Sequence, residues 1–347
     1  MEKKIHKSYI DILRLIAVFL VYYTHTATRS AYHYQIEGGP VSYHVAFVMH
    51  VLMLSGPSVF FIISGGLLLS KNESIKDLCL KRVLKFVLII LFFNLFQLYY
   101  KAVFDPIMLE NPFTDNLKMI YGYTLITQYW FLNSYLVFIL LLPILRPAAQ
   151  KMSDEAFLFV FSGFAIVELI LPILEYFLDM QRIALDFGPL AHIVVSPLIG
   201  YFIEYRINNR EINKKTILIL NVISITLLSL NTWYMHATYD KTGSETYLLG
   251  AAVLVAAIIY ADIKVLFEKI KLSANAVKLL KILGDGVFFA YLIEIQMKDL
   301  YVALYDKTVN YISWFGATVL WLVPGIITAI LIRYLLSLIP GLKKIIP

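Results

Sequence analysis

Ten apolar stretches, each close to the ~20 residues that a helix needs to cross a hydrocarbon core, constrain this chain more than any other feature. They fall at 8–28, 44–69, 82–101, 123–145, 156–178, 188–205, 215–235, 246–262, 282–303 and 312–338. Gly56-Pro57 interrupts the second and Pro324-Gly325 the last. Such breaks are tolerated where neighbouring helices or water re-satisfy the backbone. The short sixth and eighth stretches also admit a re-entrant or interfacial reading. With 60% hydrophobic and 16% charged residues, the chain carries more apolar surface than a soluble domain can hide. The expected fold is all-α: a polytopic integral membrane helical bundle of about ten transmembrane helices, forming a single domain over 1–347.

Lys and Arg in the connections set the orientation. With a cytoplasmic N-terminus, the inner connections hold most of the 30 basic residues, from Lys3, Lys4 and Lys7 to Lys343 and Lys344. The outer ones hold only Arg29, Lys101, Lys118, Arg182, Lys241 and Lys307. An even number of crossings, with both termini cytoplasmic, satisfies this bias throughout. The net charge of +6 is then a matter of topology and implies no nucleic acid. The basic residues before the first run resemble a signal n-region. The run is long for a cleaved signal and no small-x-small site follows it, so a retained first span is expected. The single cysteine, Cys79, excludes an intramolecular disulfide and a cysteine-rich metal site. No zinc spacing, P-loop, dinucleotide fingerprint or nucleophile elbow is present, and no metal is expected.

The first stretch, Tyr9–Thr28, is the one with chemistry in it. It carries Asp11 and Arg14 near one end and His25 near the other. Ionisable groups in a span are costly and usually face protein or a wet cavity. Eleven residues of helix place Arg14 and His25 roughly 16 Å apart and about 20° from the same face. Imidazole is the usual proton carrier near neutral pH, which makes His25 a candidate base, and a helix-end histidine bonding a headgroup or carbonyl is the plainer alternative. Arg14 either pairs with Asp11 at i,i+3 or meets a bound phosphate or carboxylate.

Other polar groups are candidates on weaker grounds. Glu168 and Glu175 share a face of the fifth span, and Glu175, nearer the outer end, is the better placed to orient His25 or bind an acceptor. Glu294 and Lys298 stand at i,i+4 in the ninth span, where they can neutralise each other. His192 reads as a satisfied interior histidine. Ser64-Gly65-Gly66 either allows close helix packing or exposes backbone and the Ser64 hydroxyl to a tunnel. Tyr129 and Trp130, and the Tyr- and His-rich connection at Tyr32, His33, Tyr34, Tyr43 and His44, suit an interfacial belt or carbohydrate stacking.

The stretch IDILRLIAVFLVYYTH, with Arg14, ten residues and then His25, resembles the opening helix of the membrane-bound acyltransferase-3 family. VFFIISGGLLLS (Val59–Ser70), the basic KDLCLKRVLKF, YWFLNSYLVFILLLPILRP (Tyr129–Pro147) and LGDGVFFAYLIEI (Leu283–Ile295) resemble further family segments in the same order. Glu294 departs from the pattern, since many members have His there. The resemblance implies transfer of an acyl group, acetyl by default, from cytoplasmic acyl-CoA to a hydroxyl of a surface polysaccharide or lipid-linked sugar. It implies acyl-CoA as co-substrate with no permanently bound cofactor, and a bacterial plasma membrane. On this reading His25 is the catalytic base or an acylated nucleophile, and Glu175 assists. Arg14, Arg82, Lys85 and Ser64 bind the donor, Tyr129 and Trp130 the acceptor, and Glu294 forms a second site. A secondary transporter or flippase using the same intramembrane charges remains the alternative.

Overall fold

The computed structural model describes residues 6–33, 39–104, 113–121, 126–180, 185–207, 213–238 and 249–340. Lys3, Lys4, Tyr34, Arg182, Lys241, Lys343 and Lys344 fall outside them. All regular structure among the described residues is helical. In chain order the α-helices of seven or more residues are α1 (Ser8–Thr24), α2 (Gly39–Leu54), α3 (Gly56–Leu68), α4 (Leu84–Phe104), α5 (Phe113–Tyr121), α6 (Trp130–Lys151) and α7 (Asp154–Ala165). They continue as α8 (Leu171–Phe177), α9 (Ser196–Tyr205), α10 (Lys214–Thr238), α11 (Leu249–Glu268), α12 (Ala274–Leu292), α13 (Glu294–Thr308) and α14 (Trp314–Ser337). Among the described residues six helices are long and apolar enough to cross a membrane, and Ala191–Tyr205 is a shorter apolar one. The chain is a multi-pass, all-helical membrane protein.

Several boundaries differ from the sequence reading. The first helix stops at Thr24, so His25 lies just beyond it. The ninth stretch is two helices, because the α12–α13 chain breaks at Ile293. The last stretch is one helix, with Pro324 inside it. A proline removes one ladder bond and crowds the preceding turn, and here that does not end the helix. The expected break near Gly56-Pro57 is found one residue earlier, at Ser55.

The chain divides into two compact units, Met1–Leu67 with Met152–Pro347, and Leu68–Lys151. In the first, α1 is the central element. It contains no Gly or Pro, and Asp11 in its first turn suits the positive end of the helix. It packs against α2, α11, α12 and α14, and Leu13, Ala17, Val18, Tyr22 and Tyr23 are fully buried. The start of α1 is clamped by the buried Glu204 carboxylate. That carboxylate accepts from the hydroxyls of Tyr9 and Tyr260, each at 2.8 Å, and pairs with Lys7 at 2.5 Å and Lys264 at 3.7 Å. Three segments distant in sequence are thereby joined at one polar point inside an apolar bundle.

The Ser64-Gly65-Gly66 step lies where α3 crosses α9. A β-carbon at Gly65 would overlap the Pro197 backbone, and one at Gly200 would overlap the carbonyl of Ile62. Small residues let backbones touch where lipid supplies no hydrophobic drive between helices. Gly65→Ala is therefore expected to lower thermal stability in detergent by about 1–3 kcal/mol, the usual cost of overpacking. Gly163→Ala on α7, where no atom lies within 4 Å of the added carbon, should be neutral or slightly stabilising. Equal melting shifts for the two variants would show that the α3–α9 contact is not tight.

Candidate active site

In the first unit two helix ends meet. His25 follows the last residue of α1 at φ −95°, ψ 17°. Glu294 is the first residue of α13, immediately after Ile293 at φ −110°, ψ 22°. His25 Nδ1 lies 2.9 Å from both Oε1 and Oε2 of Glu294. An ionised carboxylate only accepts hydrogen bonds, so Nδ1 carries the proton and, in the neutral ring, Nε2 keeps its lone pair. Nε2 has no hydrogen-bond partner among the described residues. The positive end of α13 favours the carboxylate placed there, and the negative end of α1 favours the imidazole N–H.

Lys298, one turn into α13, closes the group. Its ammonium is 2.9 Å from Glu294 Oε1 and donates to the His25 carbonyl at 2.7 Å. Trp321 of α14 donates its indole N–H to the Lys298 carbonyl at 2.9 Å, and the Tyr22 hydroxyl donates to the Ala290 carbonyl at 2.7 Å. These bonds hold α1, α12, α13 and α14 in one arrangement around the pair. The Glu294 side chain is 3% exposed and that of His25 17%. The carboxylate is sealed while one edge of the imidazole can be reached.

The chain leaving His25 is tightly fixed. The Thr26 hydroxyl donates to the Tyr23 carbonyl at 2.7 Å and accepts from the Ala31 N–H at 2.9 Å. Ala27 sits at φ 52°, a left-handed position that costs a residue with a β-carbon about 1–2 kcal/mol. The Tyr305 hydroxyl donates to the Arg29 carbonyl, and Ser30 and Thr318 join their hydroxyls.

At the other end of α1, Asp11 is 1% exposed and bridges His6 at 2.6 Å and Arg14 at 3.2 Å. Gly284 makes room for it, since a β-carbon there would meet the Asp11 Cβ at 2.7 Å. The i,i+3 pair read from the sequence is thus formed. Arg14 uses Nη1 in that bond and remains 31% exposed.

The acyltransferase domain of the acyltransferase-3 family matches residues 7–338. The chain belongs to that family. No curated protein and no solved structure matches it. The match covers every segment of the resemblance, and it makes the chain a membrane acyltransferase.

Within this acyltransferase the other sequence candidates are distributed as follows. The carboxylate that reaches His25 is Glu294, not Glu175. Glu175 is buried on α8, a helix that packs against α10. Glu168 accepts from the Phe187 N–H at 2.5 Å, so its carboxylate serves the backbone there. The Ser64 hydroxyl donates to the Phe60 carbonyl at 2.8 Å. His192 is buried, with Nδ1 3.2 Å from the Ser58 hydroxyl and its ring stacked on Phe61. His33 stacks on Trp314 and Tyr43 on Phe47, so this part of the aromatic-rich connection packs inward.

The second unit holds Arg82, Lys85, Tyr129 and Trp130. Glu73 accepts from Arg82 Nε at 2.8 Å and Nη2 at 2.5 Å, and from Arg146 Nη2 at 2.7 Å. Arg146 Nε donates to the Leu68 carbonyl at 3.0 Å. Lys85 is exposed. The Tyr129 hydroxyl accepts from Gln97 at 3.0 Å, and Trp130 is half-buried against Phe131. Glu73, Arg146 and Glu204 were not picked out by sequence, because each is defined by partners far along the chain.

Hydrogen bonding by Arg82, with Arg146 beside it, holds the Glu73 carboxyl down from 4.5 to about 2. A depressed acid stabilises the fold fully above its unfolded value and loses that contribution as pH falls through the folded one. Glu73→Gln is therefore expected to melt below wild type at pH 7, with the gap closing as pH drops from 4.5 toward 2. Melting curves in detergent at several pH values test this, and a gap that stays constant with pH would contradict it.

Proposed function

We propose that this membrane acyltransferase is an O-acyltransferase of surface carbohydrate. It takes an acyl group, acetyl by default, from cytoplasmic acyl-CoA and places it on a hydroxyl of a polysaccharide or lipid-linked sugar. The setting is a bacterial plasma membrane, crossed about ten times with both termini cytoplasmic, as the distribution of Lys and Arg supports. The observation that carries the reading is the His25–Glu294 contact at 2.9 Å, with Nε2 facing no protein partner among the described residues.

Nε2 of His25 takes the proton of the acceptor hydroxyl as its oxygen attacks the thioester carbonyl. The C–O bond forms, the C–S bond breaks, and the CoA thiolate leaves and receives a proton. Glu294 keeps the ring in the productive tautomer and stabilises the imidazolium that forms, a division of labour that recurs on unrelated folds. Arg14, with guanidinium donors beyond the one bonded to Asp11, meets a phosphate of the donor. Arg82 is already clasped by Glu73 and must exchange that carboxylate for any phosphate it binds. Trp130 is the better stacking surface for a sugar, because the Tyr129 ring is buried.

The test supplies acetyl-labelled acetyl-CoA to membranes containing or lacking the protein. Protein-dependent appearance of alkali-labile label in the glycan fraction supports the reading. Movement of a glycan precursor without any consumption of acetyl-CoA would replace it with transport.

A further inference from the structure

The site contains a charge that a base–carboxylate pair does not need. Lys298 lies 2.9 Å from Glu294 and 2.7 Å from the His25 carbonyl, and its side chain is 10% exposed. A buried carboxylate requires a compensating cation, and both Lys298 and His25 are within reach of this one. We infer that Lys298 is a positioning residue: its charge balances Glu294, so that His25 stays neutral, with its proton on Nδ1 and its Nε2 lone pair available. This rests on His25 acting as the base, and it adds what keeps the base unprotonated at rest.

The other groups around the turn do not take over that role. Arg29 pairs with Asp306 at 3.4 Å. The hydroxyls of Tyr22, Tyr23 and Tyr305 each donate to a backbone carbonyl. α14 contributes neutral Thr318 and Trp321. Removing Lys298 leaves Glu294 with one cationic partner, the imidazole itself, and an imidazolium has no lone pair to offer. Removing Glu294 as well cancels that demand.

Diethyl pyrocarbonate acylates only the neutral imidazole, so its rate at His25 reads this state without any turnover. Intact protein in detergent is treated at pH 7 and the His25 peptide is followed by mass spectrometry. Lys298→Met is expected to slow modification at least about tenfold. Lys298→Met with Glu294→Gln should return it to within about threefold of wild type. A purely structural lysine gives no such recovery. If Lys298→Met does not accumulate, Lys298→Gln, which keeps hydrogen bonding and removes the charge, is read in the same way. Wild-type rates in the single variant, or a slow single variant that the second substitution does not restore, overturn the inference. If the reagent results hold while His25→Ala turns over normally, the base reading fails and the charge balance stands.

Discussion

His25→Ala is expected to lower kcat for acyl transfer by about 10²–10⁴-fold, the usual worth of a positioned general base. The KM for the donor should stay near wild type, because the His25 ring is engaged with Glu294 and is assigned no contact with the donor's phosphates. The protein should also accumulate normally. His25 lies beyond the end of α1 and is held through its carbonyl, which accepts from Lys298 and survives the substitution. The alanine also removes a hydrogen bond to a buried carboxylate, but Lys298 still compensates that charge. Steady-state kinetics on membranes with matched protein levels check both parameters. A large rise in KM with unchanged kcat would move His25 from chemistry to binding.

Glu294→Gln is expected to be nearly as damaging. The amide keeps the size of the side chain and changes what faces His25. Lys298 attracts the amide oxygen, which turns the NH2 group toward Nδ1. The ring then carries its proton on Nε2, where the base is needed. In serine proteases the corresponding exchange leaves the geometry intact and lowers kcat by about 10⁴, and here a fall approaching that of His25→Ala is expected. Glu294→Gln should also cost some stability, since Lys298 loses its carboxylate partner in a site only 10% exposed. Glu175→Gln is the informative comparison, because its carboxylate lies on α8 and does not meet His25. Equal losses for the two variants would mean that the α1–α13 contact is not special.

The contrast between these carboxylates shows what the sequence displays. Membrane class follows from apolar length alone, and the Arg14 to His25 spacing pointed to the family. The substitution of Glu294 for a family histidine was visible as a departure from the pattern. Its use was not, because the two residues are 269 positions apart and their meeting depends on the break at Ile293. No glycine or proline marks that break in the AYLIEIQ stretch. It arises where α12 and α13 pack around α1 and α14. The Pro324-Gly325 step, which local chemistry does flag, lies within an unbroken α14. The Gly56-Pro57 step is flagged and does coincide with a break, one residue away. Local punctuation thus placed one bend and missed the one that builds the site. The same holds for Glu73, whose second arginine lies 73 residues away, and for Glu204, which draws together Lys7, Tyr9, Tyr260 and Lys264.

The measurement that bears most directly on the role of His25 is the ester content of the cell-surface glycan. It compares cells lacking the protein with cells expressing wild type or His25→Ala at equal membrane levels. Ester present with wild type, and reduced in the His25→Ala cells to the level of cells without the protein, is the predicted result. Full ester content with His25→Ala would contradict the assignment of His25 as the base that activates the acceptor.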